Sequence, residues 1–162
     1  MPVPAELPTF APMQLYGDDY FMRLALQEAQ KAADAGEVPV GAVIVSGDQV
    51  LARCHNSVEL LQDVTAHAEI LAITAAAQFL GSKYLPDCTI YVSLEPCVMC
   101  AGALRWAQIG RILYATPDDK AGFMRYGKEL IHPRTILEMG IMMEESSSLL
   151  KSFFSARRKT ES

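Results

Sequence analysis

Apolar and polar residues recur with two different periods along the chain. Between Asp18 and Gly36 the apolar positions fall every three or four residues, as on one face of an amphipathic helix. These positions are Phe21, Leu24, Ala25, Ala29 and Ala32. Acidic residues at the start and Gly36 at the end match the termini of a helix. In residues 38–56, two β-rich runs flank Ser46-Gly47-Asp48, which predicts a hairpin.

The next part of the chain continues with helices and strands in alternation. The alanine-rich residues 65–81 predict a helix closed by Gly81. Residues 88–94 form a short apolar run typical of a buried strand, and residues 97–110 predict a helix closed by Gly110. Residues 111–115 predict a further strand.

Near the C-terminus the pattern is less regular. Residues 117–134 are rich in Pro, Asp, Gly and Lys, which indicates a long functional loop with room for a short helix. Residues 135–143 supply a last strand, and residues 144–159 a last helix. That helix carries four apolar residues that we expect on one face, Leu149, Leu150, Phe153 and Phe154.

The order α-β-β-α-β-α-β-β-α predicts an α/β fold, with a sheet covered by helices on both faces. We find neither an internal repeat nor a linker, and 162 residues suit one domain. The first 13 residues contain four prolines. We therefore predict a flexible extension over residues 1–17 and a single domain over residues 18–162.

Composition narrows the class of protein further. Half of the residues are hydrophobic (51%) and 20% are charged, as in ordinary globular proteins. The sequence contains no run of about 18 apolar residues, so it predicts no membrane span. The N-terminus lacks the cationic and apolar regions of a secretory signal. We expect a cytoplasmic protein whose four cysteines do not form disulfides.

The net charge of −5 is distributed unevenly. Residues 1–104 hold 4 Lys and Arg against 12 Asp and Glu, whereas residues 105–162 hold 10 against 7. The basic end includes the sequence KSFFSARRK, whose aromatic and basic residues suit a phosphate backbone. On charge alone, a solvated helix end explains this segment equally well.

The strongest chemical motif is a pair of cysteines three residues apart, Cys97 and Cys100. They follow a predicted strand, and Pro96 suits the start of a helix. In the first turn of a helix both sulfurs face the same way, and the helix dipole favours the thiolate form. Because thiolates serve both metal binding and redox chemistry, the pair alone leaves both interpretations open.

His67 and Glu69, at the start of the preceding predicted helix, favour the metal. Two residues apart on a helix, they point about 200° away from each other, so they converge only beyond its N-terminal end. His67, Cys97 and Cys100 would then form the three-ligand pattern of a catalytic zinc ion, with one position left for water. Glu69 would take a proton from that water and pass it to a substrate.

These residues carry a family resemblance. His67-Ala68-Glu69 with Pro96-Cys97-Val98-Met99-Cys100 resembles the signature of the zinc-dependent cytidine/deoxycytidylate deaminase superfamily. Over roughly residues 18–159, the longer segments VPVGAVIV, TAHAEI, LEPCVMCAGA, IGRILYA and FFSARR resemble the bacterial tRNA-specific adenosine deaminases of that superfamily.

The resemblance implies a three-layer α/β/α, cytidine-deaminase-like fold around a five-stranded mixed sheet. It further implies hydrolysis of adenosine to inosine at the wobble position of a tRNA anticodon. One Zn²⁺ per chain would be held by His67, Cys97 and Cys100, with Glu69 as the proton shuttle. The family also implies a homodimer whose sites lie close to the subunit interface.

The resemblance also assigns residues to the substrate. Asn56 would contact the purine, because an amide can both donate and accept hydrogen bonds. Asp118 and Lys120, in the loop ATPDDKAG, would meet the RNA backbone or sugars, and Phe154 and Arg158 would contact the anticodon loop. Without the resemblance, Phe154 could equally be a core residue, and Lys120 and Arg158 could be ordinary charged residues of the surface.

Other residues read as structural. Cys54 and Cys88 suit small buried hydrophobic positions, and Trp106 suits packing or a subunit contact. Glu95, just before Pro96, would accept backbone N–H groups near the site or line its rim.

Some features depart from the family. Val64 stands where proline is frequent, and residues 121–134 differ in detail from better-known bacterial members. The segment ALRWAQ resembles relatives that act on free bases, including a guanine deaminase branch. A deaminase of a free nucleobase or nucleoside is therefore the alternative.

A structural zinc domain would need a fourth protein ligand, and no further Cys or His lies near the motif.

Overall fold

The computed structural model describes residues 16–161. They form a five-stranded mixed sheet between two layers of helices, which confirms the predicted fold. The elements are α1 (Asp18–Asp34), β1 (Gly41–Ser46), β2 (Gln49–His55), α2 (Val58–Leu61), α3 (Ala68–Leu80), β3 (Thr89–Leu94), α4 (Val98–Ala107), β4 (Arg111–Thr116), β5 (Ile136–Met139) and α5 (Met143–Glu161). The flexible extension predicted for residues 1–17 lies almost wholly outside the described residues.

The strands lie in the order β2-β1-β3-β4-β5. β1 runs antiparallel to both β2 and β3, whereas β3, β4 and β5 are parallel to one another. β2 therefore points in the same direction as β3 and β4. As a consequence, the C-terminal ends of β2, β3 and β4 lie at one edge of the sheet.

Both faces of the sheet are buried, because side chains along a strand alternate between faces. On β1, Val43 and Val45 belong to the core under α1, whereas Ala42 and Ile44 belong to the core on the other face. That second core includes Ala72 and other residues of α3, together with residues of α4. α5 contacts α1, β3 and β4 and so completes the first layer.

The packing of α1 on β1 depends on Gly41. A Cβ atom at this position would overlap the backbone of Ala25 and Ala29 on α1. The backbone N–H of Gly41 donates to the hydroxyl of Ser93 on β3 at 3.0 Å. The absence of a side chain therefore lets the helix lie directly on the strand.

The structure corrects several predicted boundaries. α4 ends at Ala107, and Gln108 follows in the left-handed conformation (φ 54°), so Gly110 is not the terminator. Gly110 is needed instead because a Cβ there would overlap the carbonyl of Pro86. β5 has only four residues, and α2 was not predicted at all. The short helix allowed within residues 117–134 is replaced by two 3₁₀ turns, Phe123–Arg125 and Lys128–Leu130.

Among the described residues, no helix is long and apolar enough to cross a membrane. All four cysteines lie within the described residues, and none of them forms a disulfide.

Candidate active site

The two chemical motifs meet at the edge of the sheet where β2, β3 and β4 end. His67 is the N-cap residue of α3 and Cys97 is the N-cap residue of α4. Both have extended backbones, with ψ of 151° and 175°, so their side chains project beyond the helix ends. The expected convergence of the two N-termini is therefore present in the structure.

The three sequence-predicted ligands have the dimensions of a metal site. Nδ1 of His67 lies 3.7 Å from Sγ of Cys97 and 3.6 Å from Sγ of Cys100. A tetrahedral zinc ion with the usual bond lengths would separate nitrogen and sulfur by about 3.6 Å. All three ligand atoms lie within 4.8 Å of one another, and no other such group exists in the described part of the chain.

The ionisation of these three residues is linked to metal binding, because each binds a metal only in its deprotonated form. The pKa of Cys97 is lowered to about 4, first by a hydrogen bond with Cys100 and also by His67. The pKa of His67 is raised, mainly by its hydrogen bond with Cys97. The pKa of Cys100 is raised by its hydrogen bond with Cys97 and by burial. Cys97 is therefore a thiolate at neutral pH, and binding a metal would release the proton of Cys100.

Glu69 lies in the first turn of α3 and is only 3% exposed. Burial raises its pKa to about 7. A carboxyl group with such a pKa can both accept and donate a proton near neutral pH.

A cavity of about 330 Å³ lies beside Glu69 and the predicted metal ligands. Its lining includes Asn56, His67, Glu69, Glu95 and Cys97. The volume is at the lower end of the range for ligand pockets and suits a single nucleobase. Asn56, predicted to contact a purine, follows the end of β2 and is buried at this wall.

A second depression, of about 450 Å³, adjoins the cavity and shares Asp118 and Ala121 with it. Four of the predicted substrate residues line this depression, namely Asp118, Lys120, Phe154 and Arg158. They come from the loop after β4 and from α5, which are distant in sequence.

The ring of Phe154 lies at this surface and does not belong to the core. Phe154 is exposed, whereas Leu149, Leu150 and Phe153 are half-buried, so the predicted apolar face of α5 excludes it. Core packing is therefore the wrong interpretation of Phe154.

The comparisons with known proteins agree with this geometry. The family model of the MafB19-like deaminases matches residues 17–158. The tRNA-specific adenosine deaminase of Aquifex aeolicus (strain VF5) is 43% identical over 147 residues, which are 88% of this chain and 97% of the relative. The chain belongs to the family of the tRNA-specific adenosine deaminases.

Solved structures support the same assignment for this deaminase. A tRNA:A34 deaminase, studied for A-to-I editing at the wobble position, has a TM-score of 0.76 at 41% identity, over 81% of this chain and 99% of the other. The guanine deaminase of Nitrosomonas europaea has a TM-score of 0.79 at 23% identity, over 88% and 87% of the two chains. That second likeness concerns the fold alone. The predicted cytidine-deaminase-like fold is confirmed.

Sequence reasoning missed two basic residues of the deaminase. Lys151 lines the depression together with Phe154 and Arg158, and their spacing of three, four and seven residues along α5 could have revealed this face. Arg157 lines the main cavity, whereas Arg158 lines the depression, because consecutive helical residues point about 100° apart.

Glu37 is a missed residue for which the sequence offers no signal. It follows Gly36 and looks like a loop residue, but it is only 2% exposed and lines the cavity. Its carboxylate accepts the backbone N–H groups of Glu59 at 3.0 Å and Leu60 at 2.8 Å. Glu37 thereby holds the short helix α2 against the cavity wall next to Asn56.

Proposed function

We propose that this protein hydrolyses adenosine to inosine at the wobble position of a tRNA anticodon and releases ammonia. One observation carries the proposal. The His67, Cys97 and Cys100 group lies with the buried Glu69 at a cavity that suits a nucleobase, in a chain closely related to tRNA-specific adenosine deaminases. A group that could hold a metal, a buried carboxyl group and a pocket together suit a hydrolytic reaction.

The cofactor in this proposal is one Zn²⁺ per chain, held by His67, Cys97 and Cys100. One imidazole and two thiolates are ligands that zinc prefers, and their spacing fits its tetrahedral geometry. Zinc held there would supply water activated for hydrolysis, with a pKa lowered to about 7.

Glu69 moves the protons of the reaction. Its position at the start of α3 places a buried carboxyl group beside the three ligands. It takes a proton from the attacking water and gives it to the ring nitrogen N1 as C6 of the purine is attacked. It then takes the proton of the new C6 hydroxyl and gives it to the amine, which leaves as ammonia while the C6 carbonyl of inosine forms.

The remaining substrate residues hold the RNA. Asn56 reads an edge of the base inside the cavity, which requires the base to leave the stacked anticodon loop. Lys120 and Arg158 meet the backbone of the loop, Asp118 contacts the backbone or a sugar, and Phe154 offers a ring for stacking. The depression next to the cavity supports an RNA substrate, because a free base would need no basic surface outside the pocket.

The test is incubation of purified protein with an anticodon stem-loop that carries adenosine at the wobble position. Mass spectrometry of nucleosides should show inosine at that position alone. Guanine, cytosine, adenine and free adenosine, assayed in parallel for ammonia, should give none. Ammonia from guanine together with unchanged stem-loop RNA would contradict the proposal and favour a free-base deaminase.

We expect the last turn of α5 to contribute to RNA affinity. Ending the chain at Ala156 removes Arg157, Arg158 and Lys159. Binding should weaken, and the slope of log K against log salt should become shallower by up to about 2, at about 0.7 for each lost phosphate contact. Fluorescence anisotropy with a labelled stem-loop measures both.

A chain that ends at Thr160 keeps all three cations and is the control for that truncation. Both truncated chains should retain one zinc. Unchanged RNA affinity in the shorter chain would show that this turn does not contact RNA.

We also propose that the protein is a cytoplasmic homodimer, as suits an enzyme of tRNA. The exposed side of α4 carries three large apolar side chains, Val98, Met99 and Trp106, the last 83% exposed, together with Arg105. Exposed apolar side chains of this kind are typical of a subunit interface. Sedimentation should give about twice the chain mass of 17.8 kDa, and Trp106→Glu should give the monomer. Arg23→Glu, on the opposite layer, is the control and should stay dimeric.

A further inference from the structure

The loop between β4 and β5 borders both the cavity and the depression. It carries Asp118 and Lys120, two of the residues that the proposed function assigns to the RNA. Oδ1 of Asp118 accepts the backbone N–H groups of Lys120 and Ala121, both at 3.1 Å. The turn that presents Lys120 is therefore fixed relative to Asp118.

The side chain of Glu95 is hydrogen-bonded to this loop. It lies between the end of β3 and Cys97, and it is only 6% exposed. One carboxylate oxygen accepts the N–H of Asp118 at 3.3 Å and the other accepts the N–H of Met124 at 3.1 Å. A single buried carboxylate thus spans both ends of the segment from 118 to 124 through charge-assisted hydrogen bonds.

Further contacts join the same two segments. The N–H of Phe123 donates to the carbonyl of Pro96 at 3.0 Å, and Gly122 forms an isolated bridge with Cys97. A Cβ at Gly122 would overlap the Glu95 carboxylate, so the loop lies in direct contact with Glu95. Residues 118–124, which we call the substrate loop, are therefore attached to the segment that carries the predicted metal ligand Cys97.

We propose that Glu95 is a positioning residue for the RNA. It fixes the substrate loop relative to Cys97, and so it sets where Lys120 meets the backbone when a base occupies the cavity. Without the two hydrogen bonds to Glu95, the loop can move relative to Cys97. Lys120 then no longer contacts the RNA from a fixed position. The inference rests on the proposed function, since it concerns affinity for the anticodon loop.

Glu37, another residue of the cavity lining, provides a matched comparison. It is also a buried carboxylate that accepts two backbone N–H groups and lines the cavity. The segment that it holds, α2, does not carry Lys120. A general effect of losing a buried carboxylate would appear at both positions, whereas an effect transmitted to Lys120 is expected only from Glu95.

The test is a double-mutant cycle on the affinity for an anticodon stem-loop, with zinc content measured for every variant. Glu95→Gln retains one acceptor oxygen and should weaken binding about tenfold at one zinc per chain. Lys120→Ala should weaken binding as well. Because Glu95 acts through Lys120, the double variant should bind no more than about twofold more weakly than Glu95→Gln alone.

The combination of Glu37→Gln with Lys120→Ala is the control. In that double variant the fold-losses of affinity from the two substitutions should multiply. Multiplied losses in the Glu95 pair would overturn the inference. Loss of zinc from both Glu95→Gln and Glu95→Asp would also overturn it, because Glu95 would then support the metal site. If the wild-type protein neither binds nor deaminates the stem-loop, the proposed function fails, which is a separate result.

Discussion

Glu69→Ala is expected to lower kcat on an anticodon stem-loop by about 10²- to 10⁴-fold, the usual contribution of a general acid–base group. Glu69 is the buried carboxyl group at the cavity beside the three ligand side chains. Its loss removes the proton carrier but none of the metal ligands. Single-turnover formation of inosine, measured at saturating enzyme, gives the chemical step directly.

Glu69→Gln is the control for shape. The amide keeps the volume of the side chain but cannot take up a proton, so its activity should fall as far as that of the alanine variant. Both variants should keep one zinc per chain and bind the stem-loop within a few-fold of the wild type. More than a tenth of the wild-type rate in either variant would exclude Glu69 as the proton carrier.

Cys97→Ala is expected to remove both zinc and activity. Two protein ligands remain after the substitution, whereas catalytic zinc sites have three. Since metal ions contribute several kcal/mol to such reactions, the rate should fall by roughly 10³-fold or more. The metal analysis of the purified variant and its inosine assay are the measurements.

Stability provides a second measurement for the same variant. Bound zinc stabilises the folded state, so a chelator should lower the melting temperature of the wild type and leave that of Cys97→Ala unchanged. Cys54→Ala is the matched control. Cys54 is a half-buried thiol on β2 whose pKa burial raises to about 11, and its replacement should preserve zinc and activity. Full zinc content in Cys97→Ala would contradict the proposed site.

Much of the fold follows from local pattern. The period of apolar residues predicts α1, and the alternation around Gly47 predicts the β1–β2 hairpin, because each reflects burial of one side of a regular element. Boundaries were less predictable. α4 ends at Ala107, followed by Gln108 in a left-handed conformation, and Gly110 serves close packing against Pro86 instead.

The residues that support the site from behind were harder to predict than the metal ligands. Glu37 and Glu95 have no periodic or motif signal that reveals their hydrogen bonds. Each accepts N–H groups from residues more than 20 positions away, so its role depends on the folded chain. The sequence predicts that Glu95, just before Pro96, accepts backbone N–H groups near the site or lines its rim, but it does not indicate which N–H groups.

The sequence by itself determined the chemistry of this protein. His67, Glu69, Cys97 and Cys100 each lie at the start of a helix, and helix starts and side-chain spacing are local properties. Tertiary structure decided which other side chains lie around them at the cavity. β2, β3 and β4 run in one direction, so Asn56, Cys97 and Asp118 come together at one sheet edge, and α5 adds Phe154 and Arg158 beside them. Strand order and direction depend on contacts between distant residues, which no local pattern specifies.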